Sequence, residues 1–94
     1  MGYVTVSHWT ATEMSDEMVE IAQAKFIPMV LKTGASGVQM VRTGESGMMV
    51  VTQYSDEATG IAAQTKIAEI RSQAAGEFPM KLDSAHAGNV MAAG

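Results

Sequence analysis

The sequence predicts an α+β fold with the element order β-α-β-β-α-β, in which two helices lie on one face of a four-stranded antiparallel sheet. Three observations carry that expectation. First, Ser36–Tyr54 (SGVQMVRTGESGMMVVTQY) reads as two strands, about Val38–Arg42 and Met48–Tyr54, joined by Thr43-Gly44-Glu45-Ser46-Gly47. Two glycines bracket that turn, as a short hairpin with residues at positive φ would need. Second, a helix-like segment stands on each side of the hairpin. Third, each of those segments has an outer strand candidate beyond it.

The first strand is expected over Tyr3–Trp9, where Tyr3, Thr5, Ser7 and Trp9 point one way and Val4, Val6 and His8 the other. Thr10-Ala-Thr-Glu13 has the spacing of a capping box, with Ser15 as an alternative cap, and Asp16, Glu17 and Glu20 suit a helix's positive end. Met14, Met18, Ile21, Ala22, Met29 and Val30 then recur at helical spacing to about Lys32. Pro28 lacks an N–H and its ring crowds the carbonyl of Ala24, which predicts a kink or break near Phe26–Ile27. Gly34 ends this helix.

The third strand does not alternate. Met48-Met49-Val50-Val51 is apolar on both faces, so both should be covered. Two helices cover one face of such a sheet, and a short chain has nothing left for the other. A second copy is the simplest cover, which predicts a homodimer through the open sheet face. Ser55-Asp56-Glu57 should cap the second helix, running to about Ala75 with Ala63, Ile67, Ile70 and Ala74 as its inner stripe. Gly60 reads as an internal weak point costing ~1 kcal/mol relative to Ala. Gly76 and Pro79 should end it, and Met80–Val90 should contain the fourth strand.

Composition narrows function by exclusion. The chain of 94 residues makes one domain, 1–94, with 47% hydrophobic and 17% charged residues, as in ordinary globular proteins. Net charge is −4, and the six basic residues stand singly with no stripe for a phosphate backbone, so neither nucleic acid nor an anionic membrane is an expected partner. There is no cysteine, which removes disulfides, thiolate metal sites and thiol catalysis. The opening residues alternate like a strand and lack a signal-peptide pattern, so the cytoplasm is the default location.

With that order of elements, the chain resembles the dimeric α+β-barrel superfamily, whose ferredoxin-like subunits pack sheet to sheet. The resemblance spans about residues 3–90. It rests on the first strand ending in His8-Trp9, on Gly34-Ala-Ser-Gly-Val-Gln-Met-Val-Arg42 leading into the hairpin, and on the Tyr54-Ser-Asp-Glu57 junction. It implies kinship with antibiotic-biosynthesis-monooxygenase-like and stress-responsive barrel proteins, a fold with many functions. It also implies a ligand between sheet and helices and, in the oxygenase-like branches, no cofactor. No helix histidine is present as an axial haem ligand.

His8 is the candidate catalytic residue: a strand histidine serves as base or orienter in some such proteins. If the Val4–Val6–His8 face meets the helices, its imidazole enters an apolar cavity where its charge can switch near neutrality. The competing reading is a packed histidine bonded to backbone. Trp9, Tyr54 and His86 are candidate substrate-binding residues, the aromatics being equally at home in a core or interface. His8 and His86 are expected to meet only if the last strand starts late, near Ser84. No metal-ligand cluster accompanies either histidine. Two functions follow: a small cofactor-free oxygenase, cyclase or isomerase acting on a hydrophobic, ring-containing metabolite, or a non-catalytic ligand-binding or structural homodimer.

Overall fold

The computed structural model describes residues 2–94. Its elements are β1 (Tyr3–Ala11), α1 (Asp16–Ile21), a π-helical segment (Ala22–Phe26), α2 (Ile27–Leu31), β2 (Gly37–Arg42), β3 (Gly47–Tyr54), α3 (Glu57–Glu77) and β4 (Met80–Asn89). The four strands form one antiparallel sheet in the order β2-β3-β1-β4. The expected α+β, ferredoxin-like arrangement is therefore what the chain adopts, with α1, the π segment and α2 acting as a first helix and α3 as a second.

Strand β1 sets the orientation of the sheet. Tyr3, Thr5, Ser7, Trp9 and Ala11 are buried toward the helices, whereas Val4 and Val6 are half-buried and His8 and Thr10 exposed on the opposite face. Its neighbour β3 alternates in the same sense, with Met48, Thr52 and Tyr54 buried. Tyr3, Val30, Tyr54, Ala63 and Ile67 form the central cluster, with Ala35, Val38 and Ile70 packed against it.

The first helix departs from its predicted start. Ser15, and not the Thr10–Glu13 box, caps α1: its side chain accepts a hydrogen bond from the backbone N–H of Met18 at 3.2 Å. Thr10 is instead part of β1, which runs two residues beyond the expected end. Pro28 does not break the helix. The turn before it widens, so that the Ile27 N–H donates to the Ala22 carbonyl five residues back. A π-turn of this kind absorbs a proline's missing donor and bulky ring without ending the rod. Gly34 then terminates it at φ 105°, a left-handed conformation that a side chain would strain.

The hairpin turn uses its glycines differently from the sequence expectation. Neither Gly44 nor Gly47 has positive φ; among the described residues only Gly34 does. Gly47 is needed for room, because a Cβ there would overlap the Thr43 hydroxyl. Arg42 ties the loop down by donating from Nε to the Gly44 carbonyl at 3.1 Å and from its terminal nitrogen to that of Glu45 at 3.2 Å.

Asp56 caps α3, accepting from the Thr59 N–H at 2.8 Å. That backbone bond is the main cause holding its carboxyl below the usual range. Helix α3 continues through Gly76 to Glu77, further than the glycine suggested, and stops where Phe78 turns extended before Pro79. Phe78 meets Phe26 with ring centroids 5.3 Å apart, and Lys25 pairs with Glu77, so the end of α3 is fastened to the π segment. Among the described residues, no helix is long and apolar enough to cross a membrane.

Gly60 is a closer constraint than its helix propensity suggested. It is buried, and a Cβ there would overlap the Tyr3 ring, which packs against the helix at this point. Gly60→Ala should therefore destabilise the protein by about 1–3 kcal/mol, although alanine is the better helix former. Urea unfolding of Gly60→Ala, alone and combined with Tyr3→Leu, checks this; relief of the penalty in the double variant identifies the ring as its cause.

Candidate functional site

Between the helices and the sheet lies an inner cavity of about 70 Å³. Strands β1 and β3 form its floor with Ser7, Trp9, Met48, Val50 and Thr52, and the helices roof it with Phe26, Val30, Ile67 and Ile70. An open groove of about 610 Å³ adjoins it, sharing the walls Ala22, Val38, Met48 and Met80 and extending between α1 and strand β2. The inner cavity by itself is about half the ~150 Å³ that accommodates benzene in an apolar core. The groove lies within the ~300–1,000 Å³ range of metabolite sites. Helix α1 has no buried residue, so the groove's outer wall is the least packed part of the first helix.

The floor of the cavity is polar at one place. Trp9, 4% exposed, donates from its indole nitrogen to the Ser7 hydroxyl at 2.8 Å. Residues two apart on a strand share a face, which makes this bond possible and fixes the indole edge within the cavity. Ser7 and Thr52 are both buried, and no buried side-chain nitrogen or oxygen among the described residues lacks a partner.

One charged group lines the inner cavity, Arg71 on α3. Burial lowers the pKa of its guanidinium, an effect that the nearby Tyr54 phenol partly opposes. The ion pairs among the described residues are Lys25–Glu77 and Lys81–Asp83, so no carboxylate balances Arg71. A half-buried guanidinium beside an apolar cavity is a group suited to holding an anionic or strongly polarised oxygen. Tyr54 is buried at 2% exposure on the same helix-facing side, in the central cluster, and does not line the cavity; its hydroxyl is 3.4 Å from that of Thr33.

The histidines stand elsewhere. His8 is exposed on the sheet face away from the helices, because Ser7 and Trp9 take the inward positions on either side of it. The condition under which its imidazole would enter the helix–sheet cavity is not met. His86 lies on the same outer face, opposite Val6, while His8 is opposite Ser84. The two are diagonal neighbours even though β4 begins early, at Met80. The expectation that such a start would separate them is corrected: with Met80 opposite Ala11, His86 falls within a few positions of His8, and the register shift between His8 and Trp9 puts both on one face.

Trp9 is thus the sequence candidate that the fold delivers to the cavity. Arg71 was missed, although a signal existed: it lies four residues after Ile67 and one after Ile70, within the inner stripe of α3. A cation inside an apolar stripe at helical spacing marks a partly buried charge.

Neither a family model nor a curated protein sequence matches the chain. Several solved structures match its fold. SnoaB, a cofactor-independent oxygenase from Streptomyces nogalater, superposes with a TM-score of 0.72 over 98% of this chain and 95% of its own, at 9% identity. The monooxygenase ActVA-Orf6 of Streptomyces coelicolor, solved with nanaomycin D, gives 0.67 over 98% and 89% at 16% identity. A Nitrosomonas europaea protein of unknown function, NE2512, gives 0.67 over 99% and 92% at 17% identity. At these identities the likeness concerns the backbone: the chain has the ferredoxin-like fold found in antibiotic-biosynthesis-monooxygenase-like proteins such as SnoaB and ActVA-Orf6.

Proposed function

We propose that this protein is a small cofactor-free enzyme, an oxygenase, cyclase or isomerase, acting on a flat apolar metabolite that carries an acidic hydroxyl. The observation that carries this reading is the unbalanced Arg71 guanidinium on the wall of a mostly apolar cavity. The metabolite's ring system would enter by the groove beneath α1 and meet Trp9, Met48 and Met80. Its oxygen would approach Arg71, whose charge favours the phenolate or enolate over the neutral form.

The reading follows from what the walls contain. They include no carboxylate or imidazole at the inner cavity. A substrate that ionises readily removes the need for a strong protein base, and Arg71 would then stabilise the electron-rich anion. Such an anion is the form able to react with oxygen or to rearrange. The shared fold with a cofactor-independent oxygenase and a monooxygenase supports the same class. His8 has no part in the site so drawn.

The lone tryptophan, Trp9, lines the cavity and makes its fluorescence a direct reporter of binding. Polycyclic hydroxyquinones should quench it saturably, and Arg71→Met should weaken binding at least about tenfold, with turnover falling about 100-fold or more. Arg71→Lys should recover part of the binding. Absence of saturable quenching by any such compound, with the variants unchanged, would favour the second reading: a structural homodimer whose 70 Å³ cavity is an imperfectly filled core.

In either reading, a second copy of the chain is proposed on the open face, where Val4, Val6, Met49 and Val51 present half-buried apolar surface. Val50 faces the cavity and Val51 the open side. Val51→Asp should abolish dimerisation while the subunit stays folded, whereas Val50→Asp should lower the melting temperature. Light scattering and thermal melts separate the two effects.

A further inference from the structure

The open sheet face combines apolar and titratable groups in one patch. On its central strands, Val4 and Val6 of β1 are level with Gln53 and Val51 of β3, and His8 with Met49. Val41 and Gln39 of β2 continue these rows on one side, and Ser84 and His86 of β4 on the other. Both histidines of the chain are therefore on one face, diagonal to one another and roughly 7–8 Å apart between backbones. Both are exposed in the isolated subunit.

We infer that this face is a pH-sensitive interface between two copies of the chain, closed when His8 and His86 are neutral and released when they gain protons. The inference rests on the proposal of a second copy on the open face. Two features favour that occupant. The face presented by four strands measures roughly 19 Å by 27 Å before side-chain relief is added, near the scale of the ~800 Å² per partner that a stable pair buries. Its β1, β2 and β3 positions carry no charge, so two copies can meet there without like-charge repulsion.

The titratable and charged groups facing the histidines can be named from every strand. Strands β1, β2 and β3 contribute none besides His8 itself. Strand β4 contributes His86, Lys81 and Asp83. Asp83 accepts a hydrogen bond from the Thr10 hydroxyl at 2.6 Å and lies 4.0 Å from the Lys81 ammonium, so its charge is already engaged at one corner of the face. The helices are on the other side of the sheet.

The sign follows from linkage. An imidazole covered by an apolar sheet must leave water as a cation to bind its proton, a cost that separation of the subunits removes. The separated subunits therefore bind more protons than the pair. Pairing is fully favoured above the ordinary histidine range near pH 6.5 and is lost as pH falls through it. Two diagonal cations per copy, four per pair, also repel one another across the interface.

Sedimentation equilibrium of the intact protein at pH 8.0 and pH 5.5, with circular dichroism at both, tests the inference. The expected result is a folded dimer at the higher pH whose Kd rises about 100-fold or more at the lower, the ceiling being of order 10⁴ if all four imidazoles must be neutral. The His8→Gln/His86→Gln variant should dimerise at both with less than about a threefold change. A dimer of unchanged affinity at both pH values would overturn the switch while leaving the second copy in place. A monomer at pH 8.0 would remove the second copy itself. Dissociation of the double variant at pH 5.5 as readily as the parent would assign the effect to Asp83 or to unfolding and overturn the role of the histidines.

Discussion

Alternation along β1 is the constraint on which the rest of the structure depends. Side chains on a strand have a period of two, so one choice of parity fixes which face meets the helices. One parity buries Tyr3 and Trp9, the other Val4 and Val6. Each large aromatic removes about 150–250 Å² from water, far more than a valine, so the aromatic parity is favoured by several kcal/mol at ~25 cal/mol per Å². From that choice follow the Tyr3 ring lying on the Gly60 backbone, the Ser7–Trp9 bond on the cavity floor, and the exposure of His8 on the outer face.

The two faces of the sheet consequently have separate chemistry. The inner face is mostly apolar apart from Thr5, Ser7 and Thr52, and the cavity it floors takes its single charge from α3, through Arg71. The outer face is apolar at its centre and takes its titratable groups from β1 and β4. A charge held against the cavity is unfavourable unless some oxygen approaches it. The helix above the cavity is fastened at one end through Phe26, Phe78 and the Lys25–Glu77 pair, while α1 contributes nothing to the core. This asymmetry places the opening of the groove beneath α1.

Most of the fold was legible because its signals are local and repeated. The Met48–Tyr54 strand, the Ala63–Ile67–Ile70–Ala74 stripe and the Asp56 cap each depend on residues within a few positions of one another. What escaped depended on contacts distant in sequence. Gly60 looked like a helix defect because its reason, the Tyr3 ring, lies 57 residues earlier. That His8 and His86 share a face turned on a register shift in β1–β4 pairing that no spacing reveals. At the site, Trp9 was visible as a strand aromatic, but alternation alone left open which face of β1 meets the helices, and the aromatic parity that wins turns His8 outward. Arg71 was overlooked because the basic residues were considered only for a phosphate-binding stripe, although its place in an apolar stripe argued for a partly buried charge.

The position of β1 between β3 and β4 also bears on how the molecule acquires its structure. The backbone N–H of Val90 donates to the Gly2 carbonyl at 2.8 Å, continuing a ladder that joins the start of the sequence to its last strand. Strand β1, which precedes the other three, thus waits for its second neighbour until residues 80–89 emerge from the ribosome. Until then one edge of β1, with its unpaired amides and carbonyls, is open to any other extended segment. Such long-range pairing slows folding, since loop closure must precede the reward of the contact. Until β4 pairs, β1 therefore carries an exposed sticky edge, and that strand serves as the stopper that closes it.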